Sequence, residues 1–103
     1  MVPFAGWDMP IQYPLGVREE NRAVRARCGL FDVSHMGQIA VTGAAAAAFL
    51  QGALTNDIAA LTVGDGQYTL LCRDDGGVID DLIVYRLAAD DYLIVCNAAN
   101  VAA

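Results

Sequence analysis

The segment DDGGVIDDLIVYRL, Asp74 to Leu87, carries four aspartates, and the second pair, Asp80 and Asp81, stands inside an apolar run. Neighbours on a strand point to opposite faces, so these two acids cannot share one environment. If one face of the sheet is buried, one of the two carboxylates is aimed into it. An acid set among aliphatic side chains accepts a proton, or a ligand's hydrogen bond, more strongly than an acid in water. The pair is therefore the first place to look for chemistry.

The surrounding elements decide which acid points where. The runs Gln67–Arg73, Val78–Leu87 and Tyr92–Asn97 read as strands, and their short connections join antiparallel neighbours. With DDGG as a four-residue loop, Arg73 meets Val78, Leu70 meets Asp81 and Tyr68 meets Ile83. With a three-residue loop Ala88–Asp90, Leu87 meets Asp91, Ile83 meets Val95 and Asp81 meets Asn97. One face then holds Tyr68, Leu70, Asp81, Ile83, Tyr85, Val95 and Asn97. The other holds Thr69, Asp80, Arg86 and Tyr92. A one-residue slip in either hairpin exchanges the faces. In this register Arg73 or Arg86 pairs with Asp80 at a solvent edge, and Asp81 enters an apolar setting between two tyrosines and Asn97. Tyrosine rings offer flat surfaces to a planar ligand. The residues by themselves leave two readings open: a binding-site acid, or a structural acid held by Asn97 or by backbone N–H groups.

The rest of the chain supplies the frame. Residues 1–15 hold all three prolines and read as an extended, irregular segment pinned by Phe4, Trp7 and Tyr13. GVREENRAVRARCGL reads as a helix with Glu19 and Glu20 at its start, Arg25 and Arg27 at its end and Gly29 as its stop. Met36 and Gln38 to Val41 read as a strand, and Ala44 to Leu54 as a second helix. Asp57 reads as a turn or cap residue. His35, the single histidine, reads as part of a bend in which Asp32 or Ser34 bonds the backbone. The class is α+β: an antiparallel sheet, formed by a C-terminal three-stranded meander, with two helices packed on it.

The totals narrow the function. At 103 residues the chain is one domain, and its net charge of −6 lacks the basic stripe a nucleic-acid partner needs. Cys28, Cys72 and Cys96 are widely spaced and form no metal-ligand cluster, so they read as reduced core thiols in a cytoplasmic protein without metal. No apolar run approaches the roughly 20 residues of a membrane span, and neither GxGxxG nor GxxxxGK[ST] occurs.

Five stretches, MVPFAGWDMPIQY, GLFDVSHMG, LTND, YTLLCRDDGGVIDDLIVY and NAAN, together resemble the T protein of the glycine cleavage system, an aminomethyltransferase. They stand in that family's order with matching gaps across the chain. The resemblance implies the following reaction. A lipoyl arm on the carrier H protein presents an aminomethyl group, ammonia leaves, and the one-carbon unit passes to tetrahydrofolate. In that family the second aspartate of GGxxDD faces the folate, which makes Asp81 the implied catalytic residue. Tyr68, Tyr85, Asn97 and Met36 match folate-lining positions, and Ile83 and Val95 match the apolar wall. Tetrahydrofolate is the implied substrate and lipoylated H protein the implied partner. Family members are several times longer, so residues 1–103 read as a single partial domain, the N-terminal part of the folate-binding domain. Such a fragment is expected not to be fully active alone, and to self-associate through uncovered apolar surface. Two alternatives stand beside this one. The first is a related folate module of the sarcosine- or dimethylglycine-oxidising or iron–sulfur maintenance type. The second is a non-catalytic assembly fragment.

Overall fold

The computed structural model describes residues 1–103, which divide into two compact units, Met1–His35 and Met36–Ala103. The first unit opens with a hairpin. Strands β1 (Val2–Phe4) and β2 (Trp7–Met9) pair antiparallel, with Phe4 opposite Trp7. Ala5 and Gly6, at φ 50° and 83°, form the two-residue turn. Both sit in the left-handed region, as a turn whose twist matches the flanking strands requires. The irregular reading of residues 1–15 thus gives way to a hairpin over residues 2–9. Three residues per strand and a proline at position 3 left almost no alternation to detect. Phe4 and Trp7 are exposed, so neither anchors this segment in a core.

Helix α1 spans Val17–Ala26 and is entered through Gly16 at φ 80°. The Tyr13 N–H donates to Glu20 Oε1 at 2.7 Å, tying the preceding loop to the first turn. Acids in that first turn and Arg25 in the last complement the helix dipole. The helix ends before Gly29 and buries none of its residues.

The second unit runs β3 (Gly37–Thr42), α2 (Ala46–Ala53), a 3-10 turn (Ile58–Ala60), β4 (Gly66–Cys72), β5 (Val78–Ala88), β6 (Asp91–Cys96) and a last 3-10 turn (Ala98–Asn100). The expected meander is present, but the sheet has four strands, in the order β3-β6-β5-β4. The fourth comes from β3, which pairs antiparallel with β6 from Gly37 opposite Cys96 to Thr42 opposite Asp91. A pairing this distant in sequence leaves no local signature. Both expected helices are present, and within this second unit α2 is the helix that supplies residues to the core.

That core lies on one face of the sheet. Leu82 and Val84 of β5 and Tyr92, Ile94 and Cys96 of β6 pack under Ala46 and Leu50 of α2, with Leu54, Ile58 and Leu61 beside them. Burial alternates along β5 and β6, as a sheet covered on a single side demands. Each large aliphatic side chain removed from water there contributes about 1.5–3 kcal/mol. The polar break after α2 closes the β4 edge. Thr55 N–H donates to Leu70 O at 3.1 Å and Asn56 Nδ2 to Tyr68 O at 2.9 Å. Backbone groups that would otherwise template a foreign strand are thereby paired.

Candidate functional site

The centre of the meander has the register the sequence suggests. Tyr68 stands opposite Ile83, Ile83 opposite Val95, and Leu70 opposite Asp81. The hairpin ends differ. The register shifts between Leu71 and Cys72, so Cys72 faces Val78 and the Arg73 N–H donates to Gly77 O at 2.7 Å. It shifts again between Arg86 and Ala88, so Ala88, not Leu87, faces Asp91. Each bulge absorbs one residue at a strand end, and the central pairs keep their faces.

Which face is covered is the reverse of the sequence reading. Asp80, at 4% exposure, is the acid on the packed side, the side of β5 that also buries Leu82 and Val84. Asp81 is exposed on the opposite face, beside Tyr68 at 61% and Ile83 and Tyr85 at 38%. The expected enclosure of Asp81 in an apolar hollow is therefore replaced by an open shelf of aromatic and aliphatic side chains. Both faces of these strands are rich in apolar residues, so alternation separates the two acids without saying which side α2 covers.

One asparagine joins the two acids across the sheet. Asn97, just past β6, donates from Nδ2 to Asp81 Oδ1 at 2.9 Å, Asp81 O at 2.8 Å and Asp80 Oδ1 at 2.9 Å. Its backbone N–H donates to Asp80 Oδ2 at 3.0 Å, and Asn100 Nδ2 donates to Asp80 Oδ1 at 2.7 Å. Asp81 Oδ2 accepts from the Tyr68 hydroxyl at 3.1 Å. Asp80 takes no cation. Arg86 donates instead to Leu61 O and Ala89 O and lies over the Tyr92 ring, and Arg73 pairs with Asp75. Burial pushes the Asp80 carboxyl toward its neutral form, but the donors of Asn97 and Asn100 outweigh it and hold the group below the ordinary carboxylate range. The Tyr68 phenol is raised, first by its hydrogen bond to Asp81 and then by partial desolvation and the carboxylate charge. It therefore stays a donor. A carboxylate has about four acceptor positions, so Asp81 is oriented by these bonds and still open to a ligand's donors.

The remaining expected site residues fall around this acid. Ile83 and Val95 continue the row from Tyr68 across β4, β5 and β6. Tyr85 opposes Gly66, and a Cβ at Gly66 would stand 2.7 Å from the Tyr85 ring. Only glycine leaves room for that ring to lie across β4. Met36, half buried, precedes β3 where Gly37 pairs with Cys96, at the Asn97 end of β6. Two residues carry little signal in the sequence: Asn100 stands only as the second asparagine of NAAN, and Gly66 belongs to no motif or periodic pattern.

Outside this cluster, Asp57 caps the turn after α2 through the Ala59 N–H at 3.1 Å. The Asp32 carboxylate accepts the Ser34 N–H at 2.9 Å, and His35 stands edge-on to Phe4, 6.2 Å between centroids, as part of a bend. Of the three cysteines only Cys96 is buried; Cys72 is half buried and Cys28 exposed, so the thiols are not all core residues. No group of three or more His, Cys, Asp or Glu side chains could hold a metal. No helix is long and apolar enough to cross a membrane.

A four-stranded antiparallel sheet with one covered face and an acid on its open face is the scaffold to be placed among known proteins. The family model of the GCVT N-terminal domain matches residues 1–103, and the chain belongs to that family. An aminomethyltransferase of Anoxybacillus flavithermus is 55% identical over 100 residues, 97% of this chain and 27% of the relative. One of Streptomyces avermitilis is 57% identical over 100 residues, with the same coverage of 97% and 27%. The crystal structure of glycine cleavage system aminomethyltransferase T from Bartonella henselae superposes with a TM-score of 0.90 at 48% identity. That match covers 96% of this chain and 27% of the other. The chain thus spans about a quarter of the length of these relatives.

Proposed function

We propose that this chain is the N-terminal part of the folate-binding domain of an aminomethyltransferase. The whole enzyme passes the one-carbon unit from the aminomethyl-lipoyl arm of H protein to tetrahydrofolate and releases ammonia. The observation that carries this reading is the Asp81 carboxylate. It is fixed through both oxygens by Tyr68 and Asn97, yet retains free acceptor positions, on a face of flat and aliphatic side chains.

A pterin is a planar ring system edged with N–H donors. Tyr68, Tyr85, Ile83 and Val95 give such a ring apolar surface, and Met36 and Asn97 border it at the strand ends. Asp81 accepts from the ring's donors and orients it. As the carbon–sulfur and carbon–nitrogen bonds of the aminomethyl group rearrange, cationic character develops on the transferred carbon. A fixed carboxylate beside that carbon stabilises it electrostatically. Positioning completes the effect, because transfer requires donor and acceptor in line.

The test is Asp81→Asn in a full-length chain carrying this segment, assayed with H protein and tetrahydrofolate. The variant keeps the shape and removes the charge. We expect a loss on the order of 10²–10³ in kcat with circular dichroism and melting unchanged. Turnover at the parent rate would end the reading.

A further inference from the structure

We infer that Asp80, the buried neighbour, is a positioning residue for the transfer: it holds the Asn97 amide, and that amide orients the Asp81 carboxylate. This rests on the proposed role of Asp81 and adds to it.

The geometry is specific. Asn97 follows the end of β6, where the sheet ladder no longer fixes it. Its side chain must be held by something if it is to hold Asp81. Asp80 does this twice, accepting the Asn97 backbone N–H at 3.0 Å and its Nδ2 at 2.9 Å. The two contacts fix both ends of the asparagine. An amide has two N–H bonds, and here Nδ2 serves acceptors on both acids. The nitrogen is thus assigned to the acids and the amide oxygen is directed away from them. Asn100 Nδ2 donates at 2.7 Å to Asp80 Oδ1, the same oxygen that accepts from Asn97 Nδ2, and so helps hold the carboxylate in place.

Asp80 is 4% exposed, so its carboxylate relies on these protein donors in place of most of its hydration. An anion there is retained only with donors of this kind around it. A purely structural acid would need the backbone N–H and Asn100 alone. The additional bond to the Asn97 side chain is the one that reaches the open face.

The experiment is a double-mutant cycle on kcat in the full-length enzyme, with the parent, Asp80→Asn, Asp81→Asn and the pair. Asp80→Asn replaces an acceptor with a donor against Asn97. We expect a loss of roughly 10- to 100-fold, the scale of a misplaced reacting group. In the Asp81→Asn background the same change should cost less than about twofold, because its effect passes through the missing carboxylate. If Asp80→Asn does not accumulate as folded protein, Asn100→Ala runs the same cycle. It loosens Asp80 and leaves Asn97 and Asp81 in place, and its smaller loss should also vanish without Asp81. A loss that persists in the Asp81→Asn background, or no loss in the parent background, overturns the inference. If Asp81→Asn is slow and the cycle is additive, only the role of Asp80 falls. If Asp81→Asn is itself at the parent rate, the proposed function falls and this inference with it.

Discussion

Asp80 and Asp81 share a peptide bond and face different physics. The first is desolvated and stays an anion because three N–H donors surround it; the second faces solvent and is aimed by a tyrosine and an asparagine. This has a consequence for stability. The folded carboxyl of Asp80 lies below the unfolded value of about 3.9, so its contribution is complete above that value. It is lost as pH falls through the lower, folded pKa. Acid titration of the unfolding free energy should therefore steepen below about pH 4. In Asp80→Asn that part of the acid slope should be missing, and stability near neutrality should be lower by roughly 2–3 kcal/mol for the unmatched donors. An unchanged acid slope would contradict the assignment.

Element-scale features explain how a short sheet presents an open face. Covering one side with α2 and closing the β4 edge with Thr55 and Asn56 leaves the Tyr68 side free. Two glycines on different elements predict opposite outcomes. Gly66→Ala sets a Cβ 2.7 Å from the Tyr85 ring, which must swing off β4. Under the proposed function, in a full-length chain carrying this segment, we expect KM for tetrahydrofolate to rise more than kcat falls, read by steady-state kinetics. Gly52 lies within α2, and a Cβ there meets nothing within 4 Å. Gly52→Ala should raise stability by about 0.5–1 kcal/mol in denaturant melts, because alanine has fewer unfolded conformations to lose. The strands and α2 were legible because their apolar residues repeat at a strand or helix period. The β1–β2 hairpin was too short for that, and the bulges near Cys72 and Leu87 leave no mark on alternation.

At the scale of the whole molecule, stability rests on the single core under α2. Phe49 and Leu50 are adjacent on that helix, at 64% and 1% exposure. Leu50→Ala should cost about 3–5 kcal/mol in urea unfolding of this chain, and Phe49→Ala less than about 1 kcal/mol. Equal losses would mean the core has been assigned to the wrong face. The sequence by itself determined the class of elements, the central register of β4, β5 and β6, and the motifs that resemble the family to which the chain belongs. Those depend on local periodicity, on hairpin length and on residue order, all of which are linear in the chain. Only the tertiary structure decided that β3 completes the sheet, that Asp80 and not Asp81 is the buried acid, and that Asn97 reaches both acids while Asn100 holds Asp80. Each of these depends on which side α2 packs against or on what lies beyond the end of β6. Burial is a property of contacts between distant residues, and a pattern of alternation is the same whichever side of the sheet is covered.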